Sequence, residues 1–263
     1  MPVTAVDLQL ANRLADAAGD AIRPLFRSDY ALELKADRSP VTEADRAAEA
    51  AMRRLLDAEA PGDGVVGEEY GEKPGVTGRR WVLDPIDGTR SFTAGRAIFG
   101  TLVALLEGDW PVLGVIDQPV QRERWVGAAG RPTLFNGKAA RTRACPALDG
   151  ALLATTSPHL FAGEEVEAYL RLAAALSGGN LRHGPIYGGD CYNYGLVASG
   201  CLDVVCEAGL RLHDFAALVP VVEGAGGRMC DWLGEPLTAG SSGQVLAIGD
   251  PARMDDVLEA LHG

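Results

Sequence analysis

WVLDPIDGTRSF, residues 81 to 92, sets an apolar strand of Trp81, Val82 and Leu83 directly before two aspartates and a Gly-Thr turn. Hard cations prefer clustered oxygen ligands. Asp84 and Asp87 are separated by Pro85, which restricts the backbone, and by Ile86, whose carbonyl adds another hard oxygen, so the two carboxylates can converge on a magnesium site. A helix beginning at Gly88 and Thr89 would turn free N–H groups and a positive dipole end toward a phosphate. The arrangement reads as phosphate-ester chemistry, although Asp, Pro, Gly and Thr are also ordinary turn residues.

Three other stretches carry acids in suggestive places: VTEADRAAE (41 to 49), GEEYG (67 to 71) and HDFAALVPVVEGAGG (213 to 227). Asp45 follows Thr42 by three residues, ahead of Ala47, Met52, Leu55 and Leu56, a capping-box helix start with Asp in place of Glu. Glu68 and Glu69 end the apolar pair Val65 and Val66, and strand alternation would send one of them into a cleft and the other to solvent, with Glu68 the candidate ligand. Asp214 opens the apolar series Ala216, Leu218, Val219, Val222 and Ala225, a buried helix for which it is either an N-cap or a metal ligand.

DPIDGT resembles the D-P-x-D-G-T signature of the inositol monophosphatase family, magnesium-dependent and lithium-sensitive phosphatases, and the other three stretches match in the expected order over nearly the whole chain. The resemblance implies two or three Mg2+ ions held by Glu68, Asp84, the Ile86 carbonyl, Asp87 and Asp214, with Asp45 contacting a metal and the Thr89 hydroxyl. It also implies metal-assisted in-line hydrolysis, in which Thr89, oriented by Asp45, and Glu68 position and deprotonate a water, while Gly88, Thr89 and Asp214 contact substrate. The expected fold is mixed α/β, a layered αβαβα sandwich of the sugar-phosphatase type, and the family's habit implies a homodimer. Many relatives carry Trp before this last aspartate and Gly four residues after it; His213 and Leu218 stand here and alter the substrate wall.

GGDCYNYG (188 to 195) falls where relatives line the pocket for the alcohol, and with GTRSF, GVIDQPV (114 to 120) and RWVGAAG (124 to 130) it looks most like the histidinol-phosphate phosphatase branch, an activity of histidine biosynthesis. Histidinol phosphate carries a cationic amine, for which Asp190 and Glu207 are the candidate partners; Asp190 reads equally as an N-cap after two glycines. Tyr192 and Asn193 read as packing and capping residues. An uncharged polyol would be recognised by hydroxyl hydrogen bonds, which carboxylates also serve, so a general inositol or sugar monophosphatase is the rival reading. From another class, a metal- or partner-binding protein without turnover remains.

The composition, 263 residues at 47% hydrophobic, allows one unit of two lobes, about 1–143 and 144–263, with 140–150 as the boundary and 71–78 as a surface loop. A formal charge of −12 argues against nucleic acid or an anionic membrane as partner. It also means that a phosphate dianion needs recruited cations. Ala5 to Phe26 reads as an amphipathic helix rather than a signal segment, and there is no apolar span for a membrane. Five cysteines without a C-x-x-C pair suit reduced thiols in the cytoplasm; Cys191 reads as a small buried residue rather than a nucleophile. His159, His183, His213 and His262 show no zinc spacing, and only His213, beside Asp214, is placed to matter. Strands are expected at 99–107, 112–117, 124–128, 203–207 and 245–248, and helices at 164–177, 192–199 and 252–261.

Overall fold

The computed structural model describes residues 3–29, 32–34, 40–179 and 184–263; His183 lies outside them. In chain order the elements are α1 (Ala5–Ile22), β1 (Leu32–Leu34), β2 (Pro40–Thr42), α2 (Glu43–Glu59), β3 (Gly64–Gly67), β4 (Gly71–Lys73), β5 (Arg79–Asp87), α3 (Thr89–Thr93), β6 (Gly100–Glu107) and β7 (Trp110–Gln118). There follow β8 (Glu123–Ala128), β9 (Arg131–Phe135), β10 (Lys138–Ala139), β11 (Leu153–Thr155), α4 (Glu164–Leu176), β12 (Ile186–Tyr187), α5 (Asp190–Ala198), β13 (Val204–Glu207), α6 (Leu212–Phe215), α7 (Leu218–Gly224), β14 (Arg228–Cys230), β15 (Val245–Ile248) and α8 (Met254–His262).

Five layers result. An eight-stranded sheet, ordered β10-β9-β8-β7-β6-β5-β3-β4, is antiparallel except between β3 and β5. A five-stranded sheet has the order β12-β11-β13-β15-β14. Helices α1 and α2 cover the outer face of the first sheet through Leu14, Ala18, Ala48 and Met52, packed on Trp81, Leu83 and Val103. Between the sheets, Tyr194 and Val197 of α5 and Val221 and Val222 of α7 join one core with Val82, Leu102 and Trp125 on one side and Val205, Met229 and Ala247 on the other. Helices α4 and α8 close the far face with Tyr169, Leu172, Val257 and Leu261. This is the αβαβα sandwich expected from the sequence.

Local differences have local causes. The first helix stops at Ile22, short of Phe26, because Pro24 has no N–H to continue the ladder. Residues 71–73, expected in a loop, pair as an edge strand with β3. The apolar series after Asp214 forms two helices rather than one: Pro220 cannot donate to the Ala216 carbonyl, and the chain breaks at residues 216–217. The closing helix begins at Met254, after a short 3-10 turn over Pro251–Arg253.

The α6–α7 segment rests directly on the first sheet because two of its residues are glycine. A Cβ on Gly114 would lie 1.9 Å from the Ala217 carbonyl oxygen, and one on Gly127 would lie 2.2 Å from that of Pro220. Both obstacles are backbone, which cannot swing aside, and Thr133 Oγ1 pins the same segment by donating to the Val221 carbonyl at 2.7 Å. Gly114→Ala should therefore lower the unfolding free energy by about 1–3 kcal/mol, the scale of overpacking, in urea titration. Unchanged stability would mean that the segment stands off the sheet freely.

Candidate active site

Strand β5 does not end before the aspartates; it runs through Asp87 with a bulge. Asp84 pairs with Leu102 and Asp87 with Gly100, so three steps along β5 answer two along β6. In a regular strand residues three apart face opposite sides, and the extra residue cancels that inversion. Thr101 Oγ1 donates to the Pro85 carbonyl at 2.8 Å, satisfying an oxygen that the bulge takes out of the ladder. As a result, carboxylate oxygens of Asp84, Asp87 and Asp214 lie within 4.8 Å of one another. Asp87 Oδ2 also accepts the backbone N–H of Cys191 at 2.5 Å, which ties the first turn of α5 to the strand end.

Glu68 arrives from a turn, not from strand alternation, because β3 stops at Gly67. The turn is held by a residue to which the sequence reading assigned no part. Glu49, fully buried on α2, accepts the N–H groups of Glu69 at 2.7 Å and Tyr70 at 3.2 Å, and its other partner is Arg53 Nε at 2.7 Å. A Cβ on Gly67 would sit 1.9 Å from Glu49 Oε1, so glycine there is what lets the carboxylate reach. The available signal was spacing: Glu49 lies four residues after Asp45, on the same helix face.

Asp214 is neither an N-cap nor the first residue of its helix. It is the third residue of α6, and its Oδ2 accepts the N–H of Arg211, the cap, at 2.6 Å. His213 Nε2 lies 3.4 Å from Asp214 Oδ1. Asp45 does cap its helix, its Oδ2 accepting Thr42 N at 2.7 Å and Thr42 Oγ1 at 2.6 Å. Its Oδ1 is 3.4 Å from Thr89 Oγ1, which is also 3.0 Å from the Ile86 carbonyl. Asp45 does not belong to the group formed by Asp84, Asp87 and Asp214. The helix at Thr89, α3, is only five residues long, and Gly88 before it has φ of 86°, a left-handed conformation that suits glycine.

Glu68, Asp87, Gly88, Thr89 and Asp214 line a cavity of about 670 Å3 together with Arg90, Arg96, Asp190, Cys191 and Glu207. Asp190 is the first residue of α5 at φ 43°, and the cap is Gly189, so the N-cap reading of Asp190 fails and the helix starts two residues before Tyr192. Its carboxylate instead accepts Ser91 Oγ at 3.3 Å and packs on Gly88, where a Cβ would meet it at 2.6 Å. Glu207 closes β13 with Oε1 accepting Thr156 N at 2.8 Å and Thr156 Oγ1 at 2.6 Å, and Oε2 accepting the Tyr194 hydroxyl at 3.2 Å. Tyr192 donates to Glu123 at 2.5 Å and Asn193 to the Gly188 carbonyl at 3.1 Å. Burial holds the Cys191 thiol well above its ordinary range, a protonated sulfur unsuited to attack.

Electrostatically the cluster is uncomfortable. Burial, then Glu68, Asp87 and Asp214, push Asp84 far above the usual carboxylate range; burial, then Asp190 and Asp214, do the same to Asp87. Burial raises Asp214 as well, against His213 and the Arg211 N–H. Asp84 is 1% exposed, and its Oδ1 has no hydrogen-bond partner among the described residues. A buried oxygen without a donor, amid mutually repelling carboxylates, fits a divalent cation.

The inositol monophosphatase family profile matches residues 3–262. The chain is 46% identical over 262 residues to the Arabidopsis thaliana protein named bifunctional phosphatase IMPL2, chloroplastic, covering 96% of this chain and 74% of that one. It is 36% identical to the histidinol-phosphatase of Mycobacterium tuberculosis, covering 97% and 98%. A solved inositol monophosphatase from Zymomonas mobilis, described as having a flexible region at its active site, superposes with TM-score 0.89 at 52% identity over 99% of this chain and 100% of that one. The chain belongs to the inositol monophosphatase family.

Proposed function

We propose that the protein is a Mg2+-dependent phosphomonoesterase that hydrolyses histidinol phosphate to histidinol and phosphate. The observation that carries this is the meeting of Asp84, Asp87 and Asp214, with Glu68 beside Asp84, at a cleft that opens on the Gly88–Thr89 turn. Glu68, Asp84, the Ile86 carbonyl, Asp87 and Asp214 would hold the ions, with Asp45 at the margin. Bound magnesium supplies positive charge for the ester oxygens and lowers the pKa of water.

The chain's own residues do the rest. Thr89 Oγ1 donates to the Ile86 carbonyl or to Asp45 Oδ1, and in either state its lone pair is free to accept a hydrogen bond from the attacking water. The Glu68 carboxylate takes the water's proton. The phosphate would approach the backbone at Gly88 and Thr89, where α3 begins. Asp190, beside Gly88, and Glu207 line the same cavity and would meet the alcohol portion, where two carboxylates suit a cationic amine. Relatives named histidinol-phosphatase support this choice. The identity of 52% to a protein described as an inositol monophosphatase favours the second reading, an inositol phosphate, for which the same carboxylates would accept hydroxyl protons. Phosphate release from the two substrates, each with and without Mg2+, decides between them by kcat/KM.

Three outcomes follow. Asp87→Asn should fold normally and lose about 10²-fold or more in kcat, the scale of removed electrostatic stabilisation; near-normal turnover would take Asp87 out of the site. Asp190→Asn should weaken histidinol phosphate more than a neutral sugar phosphate, and equal losses would leave Asp190 without a part in selectivity. The third concerns Glu207, which burial raises from 4.5 to about 7. The folded state keeps this proton to higher pH than the unfolded chain does. The group's contribution is therefore most favourable below 4.5 and declines as pH rises through about 7. Glu207→Gln removes that titration, so the melting temperature of the wild type should fall relative to the variant across this window. Parallel profiles would show Glu207 ionised throughout.

A further inference from the structure

Beside the all-carboxylate group stands a second one of different chemistry. One carboxylate oxygen each from Glu68 and Asp84 and one ring nitrogen of His213 lie within 4.8 Å of one another. We propose that these three residues form a mixed nitrogen and oxygen site for a borderline divalent transition ion such as Mn2+ or Zn2+, with the His213 imidazole as a direct ligand. The inference rests on the reading that the acidic cluster holds metal, and goes beyond it in the identity of the ion and of one ligand.

Ligand bonds of about 2.0–2.2 Å set three ligands of one ion about 3–3.8 Å from one another, so atoms already within 4.8 Å need close by at most about 1–2 Å, the reach of small side-chain rotations. Asp84 supplies an independent sign: its buried Oδ1 lacks any hydrogen-bond partner among the described residues, and Asp84 is the acid common to both groups. His213 is placed to join them. It sits one residue before Asp214 in α6, its side chain is 13% exposed, and Nε2 is 3.4 Å from Asp214 Oδ1, so the ring is flanked by the carboxylates of both groups.

The donor set decides the ion. Magnesium prefers oxygen ligands in near-ideal octahedral geometry and gains little from an imidazole, whereas nitrogen donors raise affinity along the series from Mn2+ to Zn2+. His213 therefore gives this chain a preference among ions that its carboxylates alone would not confer.

The test uses the full chain stripped with chelator, with binding rather than hydrolysis as the readout. Calorimetric titration with Mg2+, Mn2+ and Zn2+ is made on the wild type and on His213→Phe, with His213→Gln as a second variant should the first fold poorly. Electron spin-echo spectra of the Mn2+-loaded proteins are recorded alongside. The wild type should show nitrogen-14 modulation from a coordinated imidazole, and both variants should lose it. Affinity for Mn2+ and Zn2+ should drop by about tenfold or more on substitution, with Mg2+ affinity little changed. Bound Mn2+ without nitrogen modulation, or equal losses for Mg2+ and Mn2+, overturns this inference alone. Failure of the wild type to bind any of the ions overturns it together with the metal reading beneath it.

Discussion

Repulsion among Asp84, Asp87, Asp214 and Glu68 is the constraint around which the rest of the molecule is arranged. Like charges in a poorly solvated cleft separate unless something holds them, and here hydrogen bonds from the surrounding chain do so. The Cys191 N–H grips Asp87, the Arg211 N–H grips Asp214, and the Glu49 carboxylate grips the turn that presents Glu68. None of these contacts neutralises the cluster. They fix it in place and leave the remaining oxygens, Asp84 Oδ1 above all, to be answered from outside the chain.

Holding acids together from three directions requires the layers to approach closely, and small residues permit it. Gly114 and Gly127 seat the α6–α7 segment on the first sheet, Gly67 admits Glu49 beneath its turn, and Gly88 admits Asp190. At each point a single methyl group would collide with its neighbour, with backbone at the first two and a carboxylate at the others. The side chains between the sheets, Trp125, Tyr194 and Phe215 among them, then pack into one continuous core that turns these local contacts into a rigid cleft.

What the sequence disclosed was short in range. The Thr42–Asp45 cap, the D-P-I-D-G-T run, the layered α/β pattern and strand β15 depend on neighbours in the chain and were legible there. The bulge in β5 was not, because it exists only against β6 and its effect depends on register with Leu102 and Gly100. Glu49 is hidden for the same reason: the N–H groups it accepts lie twenty and twenty-one residues away, across a strand. Pro220 was visible and carried the signal of a broken helix, but the apolar series around it masked the break. Asp190 looked like a cap from its two preceding glycines, yet its left-handed backbone turns the side chain toward Ser91 instead.

An acidic protein of net charge −12 has little reason to attract a phosphate dianion unless its carboxylates first recruit positive charge. Calorimetric titration with inorganic phosphate, in saturating Mg2+ and again in excess chelator, addresses that dependence without requiring turnover. Phosphate should bind with the ion and fail to bind without it; equal affinity in chelator would mean that the chain attracts the anion by its own charges and that the acid cluster serves some other end.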